Sequence, residues 1–446
     1  MEKKWKEMSA KEKREARFNT WLSAPGVQFQ NREAEASYKA AIMRFKDAVL
    51  RERTPDRVPV FPFGTFFQGH LYGVTPHESM YDYEKLTTAH KKFLQDYQPD
   101  YYATPAFIGS GKILETLGYK LYKWPGHGIP KESGYQFVEG EYMFAEDYPA
   151  LIEDPTDFWL RTYLPRVFGA LEPLTQVAPF TNLWEIVGVS GQMISFGIPP
   201  VQQALKALME VGNEAMAWNQ QMGAYELEVR GMGFPTIVGG ATKAPFDIIS
   251  DTLRGIRGMM MDMYRQPEMV VKALERITPL YIKQGVGMAT FSGIPVVFMP
   301  LHKGADGFMS DEQYRKFYWP SFKAVLLGLI DEGIVPFMLC EGGYNTRLQY
   351  LAELPKGSCF CMFDRTDMAS AKKVLGETLC IGGNVPAGLV LTGTAEDVRT
   401  YCRNLIDVAG KGGGFILGMG TSMDEAKADT LHAMIDTAKE YGVYRQ

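Results

Sequence analysis

The chain has 446 residues, enough for one large barrel with insertions or for two or three ordinary domains. Its formal net charge is -5 with both signs mixed along the sequence, so it lacks the basic stripe that would make nucleic acid an expected partner. The five cysteines lie in the last quarter of a chain too large to need disulfides, which favours a reducing cytoplasm. Because no apolar stretch is long enough for a membrane span or a signal peptide, we expect a soluble protein without a membrane partner.

The first 55 residues have the pattern of a charged helical extension. The segment NREAEASYKAAIMRFKDAVLRER carries an apolar stripe at helical spacing, as a docking arm or a barrel lid would. After Pro55, the short apolar run RVPVFPFG ends at Gly64 and predicts a buried first strand. We therefore divide the chain into a helical extension at 1–55 and a barrel domain at 56–446.

The middle of the chain, from about 105 to 180, is rich in Tyr, Trp, Pro and Gly and predicts an insertion over the barrel mouth. Apolar runs of strand length then alternate with helices. The predicted strands are NLWEIVGV, FPTIVGGA, IPVVFMPL, IVPFMLCEGG, SCFCMFD, TLCIGGN and GGFILGMG. Apolar strands that each end at Gly, Asn or Asp before a helix are typical of a closed parallel (β/α)8 TIM barrel of the α/β class. A doubly wound open sheet is the alternative, although the first strand is not followed by GxGxxG.

Two late cysteines are candidates for a metal site at the barrel mouth. Alternate side chains of a barrel strand face the lumen, and we expect Cys340 and Cys380 both to point inward. Zinc prefers thiolate ligands, and a third ligand would come from Glu312, Glu341, Asp306 or His302. The alternative is that the cysteines fill the core and that Glu312 only complements a helix dipole.

Further candidates lie at strand ends. His302 closes a predicted strand and could act as an acid or base or bind substrate, and Asp364 follows another strand. Asn384 ends TLCIGGN and is predicted to face the substrate. The run FPFGTFFQGHLYG could form an aromatic wall for a flat ligand, with core packing as the alternative. Its candidate wall residues are Phe61, Phe63, Phe66, Phe67 and Tyr72.

The second half of the chain resembles the uroporphyrinogen decarboxylase-like superfamily of (β/α)8 barrels. The resemblance rests on APFDIIS, YRQPEMVVKALERIT, MSDEQYRKFYWP and FDRTDMASAKKVLGETLCIGGNVPAGLVLTGTAEDV and covers roughly residues 230–440. Uroporphyrinogen decarboxylase itself binds the carboxylates of its substrate with arginines near the first strand. The segment PVFPFGTFFQGHLYG contains no arginine, so we do not expect that activity here.

The resemblance implies a zinc-dependent methyltransferase that works with a corrinoid (cobalamin) protein. In the branch that uses coenzyme M, the ligands are His-x-Cys and a later Cys, whereas this chain has Met338, Cys340 and Met419 at those positions. In the branch of anaerobic O-demethylation, of the veratrole type, an acid and two cysteines have the spacing of Glu312, Cys340 and Cys380. The resemblance therefore implies that zinc on these three residues activates the oxygen of a phenyl methyl ether.

The function that we expect from the sequence is transfer of that methyl group to the Co(I) of a separate corrinoid protein. Zinc would polarise the ether oxygen, while His302 or Asp364 would protonate or orient the leaving oxygen. A decarboxylase or lyase on the same barrel and a thiol or coenzyme M methyltransferase are the alternatives. A homo-oligomer is compatible with the sequence.

Overall fold

The computed structural model describes residues 3–445 as an α/β fold built on a curled parallel sheet. The strands are β1 (Val60–Phe61), β2 (Tyr122–Pro125), β3 (Gly128–Ile129), β4 (Gln136–Phe137), β5 (Gly240–Ala241), β6 (Val296–Leu301), β7 (Val335–Cys340), β8 (Phe360–Phe363), β9 (Cys380–Val385) and β10 (Phe415–Met419). Seven of them form the curled sheet in the order β1-β10-β9-β8-β7-β6-β5, and each neighbouring pair is parallel. A second, three-stranded sheet has the order β3-β2-β4.

From β5 onward, helices follow the strands of the large sheet in a regular alternation. The helices before β5 are Ala10–Ser23, Arg32–Leu50, Phe67–Leu71, Pro76–Tyr81, Tyr83–Tyr97, Gly111–Leu117, Tyr148–Glu153, Pro155–Phe158, Leu164–Val167, Glu185–Gly197 and Pro199–Gly231. Those after β5 are Pro245–Asp247, Gly255–Arg265, Pro267–Ser292, Asp311–Gln313, Trp319–Asp331, Leu348–Leu351, Met368–Leu375, Ala387–Thr392, Ala395–Leu405 and Ala428–Glu440. Within residues 3–445, none of the helices is both long enough and apolar enough to cross a membrane.

The sheet curls like a barrel but stays open between β1 and β5. Residues 100–103 lie in this gap: Tyr102 forms a single parallel bridge with Thr236, and the Val60 N–H donates to the Asp100 carboxylate at 2.8 Å. The segment therefore occupies the place of a strand without forming a ladder. The parallel βα arrangement that the sequence predicts is found, but in the part of the chain that the structure describes it forms a half-barrel of seven strands and not a closed barrel of eight.

The inside of the half-barrel is filled with phenylalanine rings. Phe337 stacks on Phe360 with ring centroids 4.6 Å apart, and its centroid lies 5.2 Å from Phe298 and 5.9 Å from Phe61. The alternate residues on these strands face outward and pack in a separate cluster with the surrounding helices. Because large rings fill the interior, a polar site has to lie on the segments beyond the strand ends.

The helical extension packs beneath the amino-terminal ends of the strands. Phe45, on Arg32–Leu50, makes an edge contact with Phe360 at the start of β8, and Arg51 donates to the carbonyls of Gly376 and Gly412 just before β9 and β10. This placement is opposite the end of a parallel barrel where substrates bind. The extension therefore seals the half-barrel from below, which is a different position from that of a lid over its mouth.

The predicted strand NLWEIVGV is wrong, because its last five residues begin the helix Glu185–Gly197 and its first three precede that helix. Short apolar runs do not distinguish a buried strand from a helix. The residues that indicate a helix here follow the run in the sequence. Gln192 and Ser195 lie three residues apart, are buried, and bind the backbone C=O and N–H of Ala178, respectively. That spacing places both on one helical face.

Candidate active site

A cavity of about 900 Å³ opens at the carboxyl ends of β5, β6 and β7, where parallel barrels hold their substrates. Its charged residues come from the segments that follow these strands, and its aromatic residues come from the insertion that contains the small sheet. The lining residues are Tyr119, Leu121, Tyr122, Tyr135, Phe137, Lys243, Asp251, Thr252, His302, Lys303, Ala305, Glu341 and Gly342.

Asp251 is the centre of the polar side of this cavity. Its side chain is 7% exposed and contacts three cationic or hydrogen-bonding groups: His302 Nδ1 at 2.6 Å, Lys243 Nζ at 2.6 Å and Lys303 Nζ at 3.0 Å. Burial by itself would raise the pKa of Asp251, but the hydrogen bond with His302 and the charges of the two lysines outweigh it and hold the pKa far below its usual value. The carboxylate is therefore ionised and can only accept, so His302 Nδ1 carries a hydrogen.

Asp247 fixes the position of the loop that carries His302. Its carboxylate accepts the backbone N–H groups of His302 and Lys303, each at 3.0 Å, and the Tyr318 hydroxyl at 3.0 Å. Complete burial raises the pKa of Asp247, and the nearby charge of Asp251 raises it further. Both aspartates follow β5, so one short segment supports and orients a histidine that follows β6.

Glu341 faces the other nitrogen of the same imidazole. Its Oε2 lies 3.5 Å from His302 Nε2, and burial raises its pKa, with a further increase from the charge of Asp364. His302 Nδ1–H is donated to Asp251, so Nε2 is the imidazole atom that faces Glu341. Either group can hold a proton there, and the pair can therefore serve as a proton source inside an aromatic cavity.

The two predicted catalytic residues have different places in this site. His302 lines the cavity, whereas the Asp364 carboxylate accepts the Gly342 N–H at 3.0 Å and so orients the loop that carries Glu341. Asn384 lies elsewhere: its amide donates to the backbone carbonyls of Asp364 and Thr366, and it lines a separate cavity of about 430 Å³. A substrate role for Asn384 in the cavity around His302 is therefore not what its position favours.

Glu312, Cys340 and Cys380 are not brought together. Cys340 closes β7 and packs in the outer cluster between sheet and helices, whereas Cys380 opens β9 and packs inside the half-barrel. In the strand register, Cys340 is level with Gly383, across β8, so the two thiols differ by about 10 Å along the strands. Glu312 is exposed in the first turn of its own helix.

The prediction that both cysteines face inward is therefore wrong for Cys340, because the inward parity of β7 belongs to Phe337 and Leu339. Burial raises the pKa of both thiols, that of Cys380 to about 12, whereas zinc binds the thiolate. Among residues 3–445, no three His, Cys, Asp or Glu side chains are grouped so as to hold a metal ion. The donor set that the resemblance implies does not fit a zinc ion in this arrangement.

The predicted aromatic wall is also in a different place. Phe61 and Phe63 are part of the buried ring layer, Phe67 packs on Phe93, and the Tyr72 hydroxyl donates to Asp96. Phe61, Phe63 and Phe67 are core, as the alternative interpretation of the run FPFGTFFQGHLYG proposed, whereas Tyr72 is partly exposed outside the cavity. Phe66 alone lies next to the cavity, behind Tyr135, with ring centroids 4.9 Å apart.

The aromatic side of the cavity comes from the insertion, which the sequence placed over the barrel mouth without assigning residues. Tyr122 shows how close it lies to the acids: burial raises its pKa, and the charges of Asp251 and Glu341 raise it further. Lys243, Asp251 and Lys303 were missed as site residues. A signal was present for Lys243 and Lys303, since both follow predicted strand ends, and for Asp251, which directly follows APFDIIS.

The comparisons with known proteins agree with the fold. A methyltransferase from Methanosarcina mazei has a similar structure, with a TM-score of 0.57 at 14% sequence identity over 91% of this chain and 98% of that one. At this identity the similarity concerns the fold. A search of curated proteins finds no match. The family model "Uroporphyrinogen decarboxylase (URO-D)" matches residues 199–441, more than half of the sequence and all of the segment that carries Lys243, Asp251, His302 and Glu341. The chain therefore belongs to the uroporphyrinogen decarboxylase (URO-D) family.

Proposed function

We propose that this chain is a methyltransferase of O-demethylation, which transfers the methyl group of a phenyl methyl ether to the Co(I) of a separate corrinoid protein. The observation that carries the proposal is the cavity at the ends of β5–β7, which faces a histidine–acid pair with an aromatic wall. Membership of the URO-D family and the methyltransferase name of the structural neighbour are consistent with it.

The cavity suits a small aromatic molecule with one polar end. Tyr122, Tyr135 and Phe137 offer ring faces and edges, and the cavity volume exceeds that of a single substituted benzene ring. A methoxylated ring held on this wall would direct its ether oxygen toward the polar side. There His302 Nε2 and Glu341 are the groups that can supply a proton.

The residues of this chain act on the leaving oxygen. When the bond between the methyl carbon and the ether oxygen breaks, its electron pair stays on the oxygen, and the proton shared by His302 and Glu341 moves there to give the neutral phenol. Asp251 accepts from Nδ1 and stabilises the charge on the imidazole before the transfer. Lys243 and Lys303 keep Asp251 ionised throughout.

We assign the attacking electron pair to a partner of this chain. The described residues that line the cavity include no cysteine and no serine, and both lysines next to the His302–Glu341 pair are paired with Asp251. These residues fit a reaction in which a partner brings the methyl acceptor, and the Co(I) of a corrinoid supplies such a nucleophile when the partner is bound. No step is assigned to zinc, because Glu312, Cys340 and Cys380 do not form a ligand set.

The test uses the purified chain with free cob(I)alamin and 2-methoxyphenol under anaerobic conditions. We expect catechol and methylcobalamin in equal amounts, followed by chromatography and by the cobalamin absorbance. Loss of both products in His302→Gln, with both retained in His70→Gln, would tie the reaction to the cavity. Release of CO2 from carboxylated aromatic probes, without methyl transfer to cobalamin from any methoxylated ring, would instead identify a decarboxylase.

A further inference from the structure

The helix Glu185–Gly197 buries two of its polar side chains and exposes most of its apolar side chains. Gln192 and Ser195 are 1% and 6% exposed and bind the backbone of Ala178. By contrast, Ile186, Val187 and Ile194 are 87%, 76% and 71% exposed. This arrangement is the reverse of what a surface helix of a monomer shows, where the apolar stripe faces the core.

The exposed residues form one continuous stripe. Ile186, Ser190 and Ile194 follow each other at four-residue spacing, with Val187 and Gly191 one position on, so all five share a helix face. Large apolar residues just before the helix and at adjoining helix positions are exposed as well. We call this the apolar face, and its exposed large residues are Phe180, Leu183, Trp184, Ile186, Val187, Val189, Met193 and Ile194.

The apolar face is large enough to hold a partner. At roughly 150–250 Å² for each large apolar residue, the exposed fractions amount to an area on the order of 800 Å². Isolated apolar patches on monomers are usually smaller, at about 300–600 Å². An interface of standard size buries about 800 Å² on each partner. The face therefore matches one half of a stable protein interface.

Charge distinguishes between the candidate occupants. Glu185 is the only charged residue between Glu172 and Lys206, so the segment offers no cation to a lipid surface and no charge pattern to a charged protein. Interfaces between identical subunits are the class that is richest in apolar area and poorest in charge. An uncharged, apolar surface also complements itself, as a two-fold axis requires.

We infer that the apolar face is the interface of a homodimer, in which Glu185–Gly197 packs against the same helix of a second copy of this chain. Gly191 lies halfway along the helix at one edge of the stripe, and a Cβ there would meet nothing within 4 Å, so the helix has room there for a close crossing. This inference does not depend on the proposed function. It concerns a segment outside the candidate active site.

The first test measures mass in solution by sedimentation equilibrium. The chain should have about twice its monomer mass of 50.1 kDa, and Ile186→Lys combined with Ile194→Lys should reduce it to the monomer. Phe291→Lys is the matched control, because Phe291 is 96% exposed outside the apolar face, and its mass should stay that of the dimer. A monomeric parent protein, or a double variant that is still a dimer, would overturn the inference.

A second test does not depend on disrupting the surface. All five native cysteines are buried, so Gly191→Cys introduces one accessible thiol on the stripe. Mild oxidation should link two copies of this variant into a disulfide dimer, visible on a non-reducing gel, whereas Phe291→Cys should stay unlinked. If Gly191→Cys stays unlinked or both variants link equally, the two helices do not face each other and the interface lies elsewhere.

Discussion

The cavity around His302 and the two cysteine positions on β7 and β9 differ in one respect that decides their chemistry. The polar cavity residues lie on segments beyond the strand ends, where a charged group can meet both a partner and a ligand. Cys340 and Cys380 lie within the strands, on opposite faces, with burial raising the pKa of each thiol. The first set can exchange protons, whereas the second fills space.

Whether a side chain lies in the core or at the site thus depends on which face of the strand it occupies and on how far along the strand it lies. Cys340 and Glu341 are adjacent in sequence, yet one packs outward under the helices and the other lines the cavity. The last side chain of β7 is therefore in the core, and the next side chain in the sequence is in the site. The predictions below test this contrast.

The largest effect is expected for His302. Replacing it with Gln removes the proton that would reach the leaving oxygen, and loss of a general acid lowers kcat by about 10²- to 10⁴-fold. KM should change much less, since the aromatic wall is untouched. Steady-state kinetics with His70→Gln as the control measure this, because His70 is partly exposed near Glu425 and outside the cavity. An unchanged kcat in His302→Gln would show that His302 does not supply the proton to the leaving oxygen.

The next effect concerns stability at Asp251. Asp251→Asn leaves Lys243 and Lys303 beside each other without a counter-charge, and we expect about 3 kcal/mol less free energy of unfolding at neutral pH. The folded pKa of Asp251 is depressed, so its contribution is present above about pH 4 and is lost as the pH falls through the folded pKa.

Urea unfolding at pH 7 and at pH 3 measures this loss. The difference in the free energy of unfolding between the parent protein and Asp251→Asn should be largest at pH 7 and smaller at pH 3. Asp407→Asn is the control, since Asp407 is exposed and binds only Tyr441 in the described contacts, and its change should stay within about 0.5 kcal/mol. A gap that widens toward acid pH would mean that Asp251 is not the ionised centre of the site.

The sequence predicted the order of elements better than the site. Seven of the predicted apolar runs, beginning with RVPVFPFG, hold the strands of the half-barrel, because continuous apolar runs ended by Gly, Asn or Asp carry a strong signal for buried parallel strands. The same signal misled at NLWEIVGV, where an apolar run that faces solvent looks identical to one that faces a core. Burial is a tertiary property, and alternation alone cannot supply it.

Site residues were harder to predict for a related reason. His302 was found because it follows a strand, but Asp251 is held next to it by the curl of the sheet, which the spacing of residues does not encode. The pair Cys340 and Cys380 had persuasive spacing, yet its inward orientation required the parity of β7, which Phe337 and Leu339 occupy. Aromatic residues of the insertion reach the cavity through long-range packing that no local pattern reveals.

A smaller effect is expected when the cysteines are replaced. Cys340→Ala and Cys380→Ala should each lower the free energy of unfolding by about 1–2 kcal/mol, because each removes a buried sulfur from a packed core. The kcat of both variants should match that of the parent protein. Metal analysis and kinetics on the same preparations check this, and a joint loss of bound zinc and activity in either variant would restore the cysteines to the site.

The smallest effect tests the electrostatics of Glu341 through its neighbour. Turnover that needs a proton on the His302–Glu341 pair should decline as the pH rises through the raised pKa of Glu341. The charge of Asp364 contributes to that increase, so Asp364→Asn should shift this limb of the pH profile toward lower pH by less than about one unit. The amide oxygen of Asn can still accept the Gly342 N–H, so the loop should keep its position.

The dependence of kcat on pH measures the shift, with the exposed Glu396→Gln as a control that should leave the limb unchanged. A shift toward higher pH would contradict the assignment, because removing a negative neighbour can only make Glu341 easier to ionise.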